Sequence, residues 1–145
     1  MFCAPLFPSH DHNMDPDALY TYWIFPNDFY DYGNPFNALP VVEDYAYSTF
    51  ELLVNNGAQN ILILSLPDGE NYPLFSDYGS IGTQLTDGAN NAVNSAAVQF
   101  GLTMYDSESF LNNILQGCGN VCWYDQQHMA PEIHETLATE IAGDL

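Results

Sequence analysis

Residues 41–67, VVEDYAYSTFELLVNNGAQNILILSLP, hold the reading on which the fold turns. From Val41 to Asn56 the apolar positions Val42, Tyr45, Ala46, Thr49, Phe50, Leu53 and Val54 recur at spacings of three and four, the period of one helix face. Gly57 is a natural stop, because glycine readily takes the left-handed conformation that ends helices. Ile61 to Leu66 (ILILSL) is apolar without alternation and is broken by Pro67, as expected of a strand covered on both faces. A helix feeding such a strand is half of a strand–helix–strand unit.

Working outward, the same alternation continues. Upstream, Tyr20 to Phe25 (YTYWIF) is a short aromatic run ending at Pro26, which suits a buried strand, with Asn27-Asp28 just beyond its end. Residues 33–40 hold a glycine and two prolines and read as a loop. Downstream, residues 68–80 (DGENYPLFSDYGS) are loop by composition. Ile81 to Phe100 then reads as a helix with Leu85, Ala89, Val93, Ala96, Ala97 and Phe100 on one side, ended by Gly101. Leu102 to Tyr105 makes a third short strand, and Ser107 can cap a helix running to Leu115. After the CGNVC loop, a last helix opens at Pro131, buries Ile133, Leu137 and Ile141, and ends near Ala142.

Strands alternating with helices predict an α/β fold, a parallel sheet joined by right-handed crossovers. Functional groups in such sheets gather beyond the C-terminal strand ends. Asn27-Asp28, the 68–80 loop and the approach to His128 are all expected at that edge. Three strands are few for such a sheet, so its front is expected to be incomplete.

Composition narrows the function. A chain of 145 residues fits one domain, yet it has 19 acidic residues and no Lys or Arg. Nucleic-acid binding needs basic side chains to displace counterions, and attachment to anionic membranes needs a polybasic patch, so both partners are excluded. The acids are scattered among plentiful apolar residues, which places them on a folded surface rather than in a disordered tail. Their mutual repulsion predicts better stability in mildly acidic medium. No stretch has the length and apolarity of a membrane span, and the N-terminal residues lack the features of a signal peptide. Cys118 and Cys122 lie close enough in sequence to pair, to remain two buried thiols, or, with remote ligands, to hold zinc. His10-Asp11-His12 reads either as a metal-binding run or as a solvated stretch. The aromatics Tyr20, Tyr22, Trp23 and Phe25 read as a sugar platform or as core.

The chemistry concentrates in Trp123-Tyr124-Asp125-Gln126-Gln127-His128, just before the proline-started helix. An Asp three residues before a His lets the carboxylate hold the Nδ1 proton and leaves Nε2 as a general base. The pair alone is a weak signal, since a surface turn produces it too. Its place, after the last strand and before the last helix, is that of a base hung over a sheet edge.

With these residues in view, the chain resembles the GDSL, or SGNH, serine ester hydrolases, particularly fungal secreted acetylesterase-like members. The family's DxxHP block near the C-terminus is matched by Asp125-Gln126-Gln127-His128-Met129. Its GxND block at a strand end is matched by Phe25-Pro26-Asn27-Asp28. NNGAQNILILSLPD resembles the helix-to-strand passage that follows, and the match runs collinearly from about Asp17 to the end. The resemblance implies a three-layer α/β/α, flavodoxin-like parallel sheet, incomplete at the N-terminus, with residues 1–18 as an irregular segment and 19–145 as a partial hydrolase domain. It implies His128 as general base, Asp125 as its orienter and Asn27 as an oxyanion donor, with no cofactor and no metal. The implied substrate is a small acyl ester, such as an acetylated carbohydrate, and the implied location is extracellular.

The departures shape the expectation. The GDS block that carries the family's serine nucleophile is absent, as is the block whose glycine helps bind the oxyanion. Phe25 stands where the family has glycine, and Met129 where it has proline. Ser9 lacks a strand–turn–helix setting, Ser65 lies in the apolar strand, and Ser107 reads as a helix cap. The expected outcome is an esterase fragment inactive by itself, or a non-catalytic remnant that binds without cleaving. Loss of the neighbouring strand would leave the aromatic first strand as an open edge, prone to aggregation or partner pairing.

Overall fold

The computed structural model describes residues 13–24 and 34–144. Cys3, Ser9, His10-Asp11-His12, Phe25 and Asn27-Asp28 therefore lie outside the described residues. The chain divides into two compact units, one comprising the residues up to Leu64 together with Gly88–Tyr105, the other Ser65–Asp87 together with the residues from Asp106 onward. The backbone passes between them directly after the second strand and again directly after the third.

The first unit holds β1 (Leu19–Tyr22), α1 (Leu39–Asn55), β2 (Asn60–Leu64), the later turns of α2 (Ile81–Gln99) and β3 (Met104–Tyr105). The three strands form one parallel sheet in the order β1-β2-β3. The fold class is therefore α/β, as expected. Two right-handed crossovers stepping in the same direction put their helices on the same face. Side chains bear this out: Leu39 of α1 lies over Gly88 of α2, and the rings of Tyr47 and Phe100 meet at 5.0 Å. Phe50, fully buried in α1, meets Tyr22 of β1 edge-on at 4.9 Å and so ties helix to sheet.

Several boundaries differ from expectation, each for a local reason. β1 stops at Tyr22 rather than Phe25, and its residues alternate between exposed and half-buried instead of being buried throughout. That is edge-strand behaviour, and among the described residues β1 pairs only with β2. The loop expected at 33–40 is largely helical: a 3-10 turn spans Pro35–Ala38, and α1 starts at Leu39 with Pro40 in its first turn. Proline is tolerated there because the first N–H groups of a helix have no intrahelical acceptor. The buried stripe of α1 is Val42, Ala46, Phe50 and Leu53; Tyr45 and Val54, expected on that face, are exposed. Gly57 takes φ 92° just past the helix end, as its sequence position predicts.

The second unit holds the loop from Ser65 to Ser80, the first turns of α2, then α3 (Ser107–Cys118), a 3-10 turn (Gly119–Cys122) and α4 (Pro131–Asp144). Ser107 is not the cap of α3. Asp106 caps it, accepting the Ser109 N–H at 3.1 Å. Ser107 is buried and donates its hydroxyl to the Ser65 carbonyl at 2.6 Å, while Ser65 Oγ accepts the Glu108 N–H at 2.8 Å. Ser65 thus lies beyond β2 rather than inside it, and the two serines fasten the start of the 65–80 loop to the start of α3. Cys118 and Cys122 form a disulfide, with Cα atoms 5.7 Å apart, which decides among the three readings left open for them. Ile133, Leu137 and Ile141 of α4 are buried as expected. Among the described residues no helix is long and apolar enough to cross a membrane.

Candidate active site

Asp125 and His128 occupy a loop closed at its base by an antiparallel bridge between Trp123 and Met129. Tyr124 N–H donates to the His128 carbonyl at 2.8 Å, and Ala130 N–H to the Cys122 carbonyl at 2.7 Å. Trp123 and Met129 thus form a pair whose own N–H groups are not used in these two bonds, the wide spacing of an antiparallel ladder. The Met129 N–H therefore takes no part in closing the loop.

Inside the loop the Asp125 carboxylate does two things. Its Oδ1 accepts the backbone N–H of Gln127 at 2.7 Å and of His128 at 2.8 Å, a turn that short acidic side chains form readily. Its Oδ2 lies 2.7 Å from Nδ1 of the His128 ring. The His128 backbone bond, followed by the His128 side chain and the Gln127 backbone bond, lowers the Asp125 pKa to about 2. The carboxylate is then ionised over the physiological range and can only accept, so Nδ1 carries the bridging proton and Nε2 is the basic nitrogen of the neutral ring. Both side chains are well exposed, 56% for His128 and 46% for Asp125, so water screens the pair.

A second loop braces the first. Leu74 N–H donates to the carbonyl of Gln126, between the two dyad residues, at 3.1 Å. Tyr72 is fully buried, its ring 4.8 Å from that of Trp123 and 6.0 Å from that of Phe75. Burial raises the Tyr72 phenol well above its ordinary pKa, so it remains neutral and serves as packing rather than as an acid–base group. The bracing loop is itself pinned. Asp68 Oδ1 accepts the Glu70 N–H at 3.0 Å and the Thr83 hydroxyl at 2.5 Å, and Thr86 Oγ1 accepts the Gly69 N–H at 3.0 Å. Asn112 Oδ1 accepts the Asp68 N–H at 2.8 Å and the Asn71 side-chain N–H at 2.9 Å.

The structure thus brings Asp125, His128 and the 68–80 segment together, while Asn27 lies outside the described residues. Ser65 and Ser107 are buried, the Ser107 hydroxyl donating to the Ser65 carbonyl and Ser65 Oγ accepting the Glu108 N–H, so neither is presented as a nucleophile. Among the described residues no group of three His, Cys, Asp or Glu side chains is placed to hold a metal ion. Sequence reasoning missed the supporting residues Tyr72 and Asn112. Trp123 stood beside the DxxH run, but nothing in the spacing marked Tyr72 or Asn112 as its support.

The model of the family described as GDSL-like Lipase/Acylhydrolase matches residues 6–141, a span that takes in both units and the whole dyad loop. No curated protein matches the chain.

Proposed function

Because the chain belongs to the GDSL-like lipase/acylhydrolase family, we propose that it carries the acid–base half of a serine ester hydrolase site. His128 is the general base and then acid, Asp125 orients its ring, and Asn27 is an oxyanion donor. The observation that carries this reading is the Asp125 carboxylate 2.7 Å from His128 Nδ1 in the loop before the last helix. In the reaction, Nε2 of His128 takes the proton of a serine hydroxyl as that oxygen attacks the ester carbonyl. The imidazolium, stabilised by Asp125, gives the proton to the departing alcohol, and the same base then activates water to release the acid. The substrate is a carboxylic ester of a small acyl group on a carbohydrate or similar alcohol. A Cys118–Cys122 disulfide supports an oxidising, extracellular setting, since such bonds persist there.

No Gly-Asp-Ser run occurs in the 145 residues. The chain by itself is therefore proposed to be inactive, and its dyad to act on a serine carried by another segment. The same observation, with the exposure of the dyad, favours a second reading, a non-catalytic remnant or a binding module. The purified chain is expected neither to hydrolyse p-nitrophenyl acetate through His128 nor to label at one serine with a fluorophosphonate. Sequencing the transcript upstream of Met1, and expressing any in-frame GDS-bearing segment with this chain, separates the readings. Ester hydrolysis that vanishes in His128→Ala supports the enzyme. An inert product with the serine in place leaves the binding reading.

A further inference from the structure

We infer that Asn112, on α3 and outside the dyad loop, is a positioning residue that holds His128 in place through the 68–75 segment. The inference rests on the acid–base reading of His128 given above. Asn112 Oδ1 gathers two N–H groups of that segment, from the Asp68 backbone and the Asn71 side chain, at 2.8 Å and 2.9 Å. The chain leaving Asn71 buries the Tyr72 ring against Trp123, at the base of the dyad loop. Two residues further, Leu74 N–H bonds the carbonyl of Gln126, between Asp125 and His128. Without Asn112, two donors lose their acceptor, and the start of the segment keeps the bonds of Asp68 with Thr83 and of Gly69 with Thr86 and, upstream, the link of Ser65 to the start of α3. A segment so loosened transmits its motion where it touches the dyad loop, at Gln126 and Trp123.

The competing view is that the dyad loop holds itself, through the Asp125 turn, the Trp123–Met129 bridge and the disulfide next to it. Amide hydrogen exchange of the full chain distinguishes the two, because the Gln127 and His128 N–H groups are the ones bonded to Asp125. Asn112→Ala keeps a good helix former in α3, so the helix itself is retained. The variant is expected to speed exchange at Gln127 and His128 roughly tenfold, about one lost hydrogen bond's worth of local opening, while amides in α4 keep their rates. Asn112→Asp retains the acceptor oxygen and is expected to bring the two rates back toward those of the parent. Wild-type rates at Gln127 and His128 in Asn112→Ala would overturn the inference, as would a uniform acceleration that includes α4. No substrate or serine enters the measurement, so its outcome is separate from whether the dyad serves an esterase. Where a GDS-bearing segment restores hydrolysis, Asn112→Ala is expected to lower kcat and leave KM near its parent value.

Discussion

Asp125 holds both the peptide and the ring of His128, one carboxylate oxygen accepting its backbone N–H at 2.8 Å and the other facing Nδ1 at 2.7 Å. The ring's orientation is thus fixed by the same group that fixes the turn beneath it. A three-residue spacing suffices because the chain doubles back at once, with Gln127 N–H also turned in toward Oδ1. The contact between the two side chains is made within this one turn, and the 68–75 segment braces the turn from outside through Leu74 and Tyr72.

Replacing Asp125 by Asn separates the two tasks of that carboxylate. An amide oxygen can still accept the two backbone N–H groups, so the turn is expected to persist. The amide nitrogen that replaces Oδ2 cannot accept the Nδ1 proton, and the ring is expected to shift to the Nε2–H tautomer. Nitrogen-15 shifts of the imidazole read this directly. With a serine segment restored, Asp125→Asn is expected to lower kcat about 10⁴-fold, the cost of the wrong tautomer.

Gly69 and Gly82 meet backbone to backbone where the 68–75 segment crosses the start of α2. A Cβ built on Gly69 would overlap the Gly82 carbonyl, and one on Gly82 would crowd Phe75 Cβ at 2.8 Å. Neither glycine has a positive φ, so the constraint is space alone. Gly69→Ala is expected to lower stability by about 1–3 kcal/mol, the usual cost of overpacking, with loss of the Thr86–Gly69 bond. Urea unfolding measures it, and a midpoint unchanged from the parent would show that the segments can part freely.

The elements whose periodicity is strong were legible from sequence. The helices over Val41–Asn56 and from Pro131 appear because burial on one face imposes a 3.6-residue spacing, and the apolar ILILSL run appears as the shorter strand Asn60–Leu64. Asp125 and His128 were legible because their contact is local. What sequence did not show is contact across long separations. Asn112 reaches Asp68 and Asn71 over some forty positions, and Ser65 finds Ser107 over a similar span. The cap of α3 differs from the sequence expectation for a related reason: Asp106 and Ser107 are both good capping residues, and Ser107 is drawn inward by Ser65.

Phe50 is the aromatic anchor between α1 and β1, fully buried and edge-on to Tyr22. Phe50→Ala is expected to cost about 3–5 kcal/mol, the range for removing a buried aromatic side chain. β1 is an edge among the described residues, so its attachment to α1 is the contact that should weaken. Thermal melting gives the loss. Exchange at Thr21 and Tyr22 rising more than that of Ala46 in α1 would place the damage at the strand.

The pH dependence of stability has two opposed parts. The folded-state pKa of Asp125 is about 2, below the ordinary 3.8, so its contribution is complete above about pH 4 and is lost as the pH falls through 2. A net charge of −19 at pH 7, with no Lys or Arg, acts the other way, since self-repulsion destabilises the compact state most where the carboxylates are ionised. Between pH 8 and about pH 5 the Asp125 contribution is constant, so the change in stability follows the repulsion. Tm is therefore expected to rise as the pH is lowered to about 5, and to fall again below about 4. Raising NaCl to about 0.5 M at pH 7 is expected to raise Tm as well, because screening shortens the reach of the repulsion, and to do so less at pH 5. A Tm that climbs steadily from pH 5 to pH 8 at low salt would mean that the acidic surface does not govern stability.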